Sequence, residues 1–155
     1  MAGSMSRDKG QRAERAAIKL LQPVVNEVYA KHGRDAPVLQ RNQLQSHLGG
    51  EDISGIRWCS IEIKHQEALS VEAWWAQCVK QCKGIREPIL LYKQNNIKWR
   101  VRIWAAIVVH GSTDTQWHVI EMGANEFLIY FEARLTIEVQ KEIANEEREA
   151  GGFAF

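Results

Sequence analysis

The sequence predicts an α/β domain with a central mixed sheet flanked by helices. Three observations predict it. The stretch "LSVEAWWAQCVKQCKG" places Val71, Trp74, Trp75, Cys78, Val79 and Cys82 three and four residues apart, the spacing of one face of a helix. Just before it, "CSIEIK" alternates with a period of two, setting Cys59, Ile61 and Ile63 on one side and Ser60, Glu62 and Lys64 on the other. Just after it, two β-rich runs, 88–94 and 98–109, flank a polar Asn95-Asn96 turn.

The elements follow in order. Residues 7–31 read as an amphipathic helix, with Ala13, Ala17, Leu20, Leu21, Val24 and Val28 at helical spacing and Pro23 expected to kink it. Residues 37–46 read as extended, and "GGEDISG" turns the chain around Gly49, Gly50 and Gly55 into a strand at 58–64. Ser70 is the expected N-cap of the second helix and Gly84 its stop. Pro88 fits the first residue of a strand. Further on, 115–122 reads as a strand, 125–135 as strand or helix, and 136–151 as an exposed helix. The order is α-β-β-β-α-β-β with an extension, in a single domain over 5–155. Residues 1–4 read as a cloning scar before a start at Met5, and the final "GGFAF" as a flexible tail.

Composition narrows the function. Hydrophobic residues are 45% and charged residues 25%, and no apolar run of about 18 residues is present, so a membrane span is excluded. Cys59, Cys78 and Cys82 form no CxxC pair; Cys78 and Cys82 fall on the apolar helix face as core thiols, and the expected location is cytoplasmic. The net charge of +1 hides an asymmetry. Residues 1–104 carry 17 Lys+Arg against 10 Asp+Glu, a balance of +7, whereas 105–155 carry 3 against 9, a balance of −6. A basic body points to a polyanionic partner.

Chemistry gathers around the alternating strand. Asp52 ends one extended segment, Glu62 and Lys64 share a face of the next, and the intervening turn is of suitable length to bring them together. Two carboxylates and a backbone carbonyl, that of Ile63, suit Mg²⁺, which keeps water and substrate phosphate as its other ligands. Such an ion activates water toward a phosphodiester, and a lysine beside it orients that water or neutralises the developing charge. Glu14 is a third candidate. Ala17, Ile18 and Leu21 follow it at i+3, i+4 and i+7, so its carboxylate lies on the core-facing side of the helix, where it either pairs with a cation or reaches toward the metal.

These residues resemble a known family. "KGQRAER" with Glu14, "GGEDISG" with Asp52, "IEIK" with Glu62 and Lys64, and the helix bearing Gln77 together resemble the PD-(D/E)XK nuclease superfamily. Within it they are most similar to small archaeal-type Holliday junction resolvases and their bacteriophage-encoded relatives. The resemblance covers residues 7–104 and departs at position 51, where Glu51 replaces the proline of the motif. It implies a restriction-endonuclease-like αβββαββ core. It also implies Asp52 and Glu62 as metal ligands with Glu14 nearby, Lys64 as the catalytic lysine, and Gln77 approaching the site or the DNA backbone. A homodimer using Mg²⁺, or Mn²⁺ in its place, would make paired nicks across a four-way junction. Two alternatives remain: a nuclease of the same superfamily acting on ends or flaps, and a branched-DNA-binding module without catalysis.

A phosphate track follows from charge placement. Arg7, Lys9, Arg12 and Arg15 crowd the start of the first helix; Arg41, Lys80, Lys83, Lys98, Arg100 and Arg102 extend it. His47 and His65 flank the site. The six tryptophans are expected mainly in core or dimer packing.

Overall fold

The computed structural model describes residues 2–42 and 50–152. In order, α1 spans Ala2–Lys31, β1 Gln40–Arg41, β2 Ile53–Ser54, β3 Cys59–His65, α2 Val71–Cys82, β4 Glu87–Lys93, β5 Arg100–Val108, β6 Thr115–Gly123 and α3 Ala124–Gly151. The six strands lie side by side in chain order. β3 and β4 are parallel, joined through α2, and every other neighbouring pair is antiparallel. The expected αβββαββ order is therefore present, in a mixed sheet with helices on both faces.

The two faces of β3 explain the layers. Cys59, Ile61 and Ile63 join Ile89, Leu91, Val101 and Ile103 under α1 and α3. Leu90 and Tyr92 pack on the opposite face against Trp74, Trp75 and Cys78 of α2. The ladder sets Glu62, Leu90, Arg102 and Glu121 in one row. Residues 59–63 are thus buried on both sides, as a central strand covered by helices must be.

Helix α1 runs unbroken through Pro23. That residue is exposed, while Leu21, Val25 and Val28 around it are fully buried, so packing holds the helix where the proline removes one backbone bond. Helix α2 ends as expected, with Lys83 at φ 50° and Gly84 at φ 69°; Ser70 precedes it without a side-chain capping bond. Of the extended segment predicted at 37–46, only Gln40–Arg41 is strand. Residues 43–46, with His47 and Gly49, lie outside the described residues. Gly55, at φ 112°, permits the β2–β3 turn to close: a Cβ there would sit 3.1 Å from Leu39 Cδ2 and 3.2 Å from the Val38 carbonyl.

The C-terminal extension belongs to the same core. Residues 125–135, open between strand and helix, continue with 136–151 as the single helix α3. Its Phe127, Phe131, Leu135 and Val139 recur every four residues and are all buried, each contributing about 1.5–3 kcal/mol by leaving water. The expectation of an exposed helix holds only for its outer face and final turns. Arg134 fastens α3 to the sheet, meeting Glu87 at 2.5 Å and Glu138 while lying 4.9 Å from the Trp58 ring centre. The acidic helix also meets the end of α1, through Lys31–Glu132 at 3.0 Å and Arg34–Glu146 at 2.5 Å.

Candidate active site

The site is built where β2 pairs with β3 and then diverges. Ile53 lies opposite Ile61, and the Asp52 N–H donates to the Ile61 carbonyl at 2.8 Å. One step along β3, the Ile63 N–H donates to Asp52 Oδ2 at 2.6 Å. The Asp52 carboxylate therefore takes the place of the next backbone partner in the ladder. Because N–H and C=O of one strand residue point to the same edge, the Ile63 carbonyl lies on the Asp52 side. Asp52 is 5% exposed.

Glu62 follows on the α2 side of the sheet and is 1% exposed. Its Oε1 meets Lys64 Nζ at 2.5 Å, while Oε2 is buried without a hydrogen-bond partner among the described residues. The lysine side chain is 20% accessible. A buried carboxylate oxygen left unpaired is costly, and sites of function are where such arrangements persist. Asp52, Glu62 and the Ile63 carbonyl are all hard oxygen donors, and the unpartnered Oε2 is a position a divalent cation would satisfy. The residues fit such an ion.

Glu14 takes a different partner. Its Oε2 accepts from Arg41 Nε at 2.5 Å, which joins α1 to β1 and pairs the helix acid with a cation from the expected phosphate track. Among the described residues no group of three or more His, Cys, Asp or Glu side chains gathers as a metal site.

Helix α2 presents Gln77 to solvent. Gln81, one turn later, is half-buried, and its Oε1 is buried without a hydrogen-bond partner among the described residues. It lines a groove with Gly50, Glu51, Ser60, Lys80, Lys83 and Arg86. The signal was available: Gln81 lies three residues beyond Cys78, within the stripe that faces the sheet. Glu51, in the motif's proline position, pairs with Arg86 at 2.7 Å.

The basic candidates separate into distinct settings. Lys9 pairs with Glu67 at 3.4 Å and, with Arg12, lines a groove floored by His65, Gln66 and Asn95. Arg15 and Arg41 line another with Gln40, Asn42 and Ser54. Arg7, Lys80, Lys83 and Lys98 are exposed. Arg100 reaches Glu121 at 3.7 Å, and Arg102, 12% accessible, is clasped by Glu72 at 2.7 Å and Glu121 at 2.9 Å. Arg102 thus serves as a bolt between α2 and β6. Burial pushes the Glu121 carboxyl up, but hydrogen bonds from Tyr92 and Arg102 outweigh it and hold the group below its ordinary value. His65 is held below its ordinary value by burial and by the charges of Lys9 and Lys93. All three cysteines are free and buried; the hydrogen bond with Cys82 and burial raise the Cys78 thiol, in keeping with core packing.

Asp52 and Glu62 are thus buried at the paired segments β2 and β3, with Lys64 on the Glu62 carboxylate. The chain belongs to the family described as "Phage putative PDDEXK endonuclease", whose model matches residues 5–138. It is a nuclease by family, and nucleases of this superfamily use divalent metal ions. The match extends past residue 104, where the resemblance read from the sequence stopped, and takes in β6 and half of α3. A solved structure of Archaeoglobus fulgidus Hjc, a Holliday junction resolvase from an archaeal hyperthermophile, matches at 17% identity with a TM-score of 0.40, over 72% of this chain and 85% of that one. No curated protein matches. Among the described residues no helix is long and apolar enough to cross a membrane.

Proposed function

We propose that this protein is a Mg²⁺-dependent, structure-selective endonuclease that hydrolyses phosphodiesters in branched DNA, with the four-way junction as its substrate. The observation that carries the catalytic reading is Glu62: a carboxylate buried to 1% exposure, with Lys64 on one oxygen and no hydrogen-bond partner on the other among the described residues, while Asp52 is bonded to the backbone of Ile63. Asp52, Glu62 and the Ile63 carbonyl would hold the cation, which when bound lowers the pKa of its water and stabilises charge on the phosphate. The chain's residues supply the rest. Asp52 is held in place by the β3 backbone through its bond from the Ile63 N–H. Lys64, now paired with Glu62, would orient the attacking water and neutralise the developing charge. Glu14 enters indirectly in this reading, fixing Arg41 toward the phosphate backbone. Gln77 keeps a place at the DNA backbone, consistent with its exposure.

The junction follows from the sequence resemblance and from the basic residues around the site. Arg7, Lys9, Arg12, Arg15, Arg41, Lys80, Lys83 and Arg100 would meet phosphates, which carry no base information, so selection is by shape. Paired nicks require two active sites, hence a homodimer acting in the cytoplasm of a phage-infected host. Mn²⁺ would substitute for Mg²⁺. The test is a panel of an immobile four-way junction, a flap, linear duplex and single strand of shared sequence. Symmetrical cuts confined to the junction support the proposal. Cutting of ends or flaps instead would place the protein elsewhere among nucleases, and tight junction binding without cutting would leave a binding module.

A further inference from the structure

The outer part of the β5–β6 hairpin stands clear of both helical layers. On the face it shares with Glu62, the ladder sets Trp104, Ala106 and Val108 opposite Val119, Trp117 and Thr115. Trp117 is 66% and Val108 63% exposed, and Val119 and Trp104 are also open to solvent, although the Trp104 ring touches Trp75 at 6.3 Å. Two indoles and two valines on one side of a two-stranded ribbon form an apolar patch of the kind that marks an interaction site. β6 is also the outer strand of the sheet, and its residues 115–123 include no lysine or proline to protect that edge.

The chemistry of the ribbon selects its occupant. Residues 103–120 contain no Lys or Arg and a single acidic residue, Asp114, in a chain whose first 104 residues are strongly basic. A polyanion would find no cation on this surface. A second copy of the same ribbon is equally uncharged and apolar, and one patch meets its twin in a closed twofold contact. Aromatic enrichment with depletion of charge is the composition of an interface core. The nine-residue β6 is about 30 Å long, enough to run the length of an ordinary dimer contact.

We infer that two copies of this chain pair through the β5–β6 ribbon, with Trp104, Val108, Trp117 and Val119 of each packed against the same residues of the other. This deepens the homodimer of the proposed function by giving it a surface, and it is tested apart from cleavage. Sedimentation velocity of the full chain, without DNA or metal, at about 1–100 μM is expected to give a species of twice the 17.7 kDa chain mass. Trp117→Ser with Val108→Thr should weaken the dimer by at least about 30-fold while the circular dichroism spectrum stays unchanged, as both side chains are exposed. Trp117→Lys, which sets two charges against each other at the twofold contact, should leave monomer throughout. A monomeric wild type, or a dimer indifferent to these variants, overturns the inference. So does a monomer whose junction binding falls with Trp117→Ser, since the ribbon would then stack on bases. Loss of the dimer in the variants together with wild-type inability to cut any DNA would support the interface and sink the nuclease proposal alone.

Discussion

Removing Lys64 strands a charge. Glu62 is 1% exposed, and Lys64 is the partner of its Oε1 while Oε2 has none among the described residues. Breaking a buried ion pair from one side typically costs about 3–5 kcal/mol, far more than loss of a surface pair. Lys64→Ala should therefore lose about 3–5 kcal/mol without metal, lowering Tm by about 6–20 °C for a chain of this size. Adding Glu62→Gln to Lys64→Ala should recover most of the loss, as an amide carries no charge to strand. The assay is urea unfolding in EDTA, and no recovery in the double variant would refute the reasoning.

Further predictions use other parts of the site. Mg²⁺ at about 100 times its dissociation constant should stabilise the wild type by about 2.7 kcal/mol, and Asp52→Ala should abolish that gain in thermal melts. His65 is held below its usual range by burial, Lys9 and Lys93, so the unfolded chain binds the extra proton first as pH falls below about 6.5. Stability should fall through that window down to the depressed value, and His65→Gln should flatten this limb in unfolding titrations; an unchanged limb would remove His65 as its source. Arg15→Ala should weaken junction binding across sequences and reduce the slope of log K against log salt by about one unit, whereas an unchanged slope would take Arg15 off the phosphate track.

Much of this was legible because local pattern and tertiary role agreed. The α2 stripe from Val71 to Cys82 and the alternation of β3 specify their elements without help from distant residues. Residues 125–135 were ambiguous because "FLIYF" is apolar on every side; only packing of Phe127 and Phe131 against the sheet decides for helix. The face of β3 carrying Ser60, Glu62 and Lys64 could be read as working or wet, since the sequence does not say that α2 returns to cover it. Glu14's partner was hidden for a similar reason: Arg41 lies 27 residues away in sequence, and only the packing of β1 beside α1 brings it within reach. Gln77 and Gln81 differ by one turn, so a small error in helix phase exchanges a solvent-facing amide for one turned toward the sheet.

The most direct test of the account is single-turnover cleavage of a labelled immobile four-way junction by wild type, Asp52→Ala and Lys64→Ala, with Mg²⁺ and then with Ca²⁺. The wild type is expected to make paired cuts in Mg²⁺ only, and both variants to lose cleavage while junction binding persists. Cleavage at the wild-type rate by either variant would contradict it, because Asp52 and Lys64 could not then be the groups that hold the cation and move the charge.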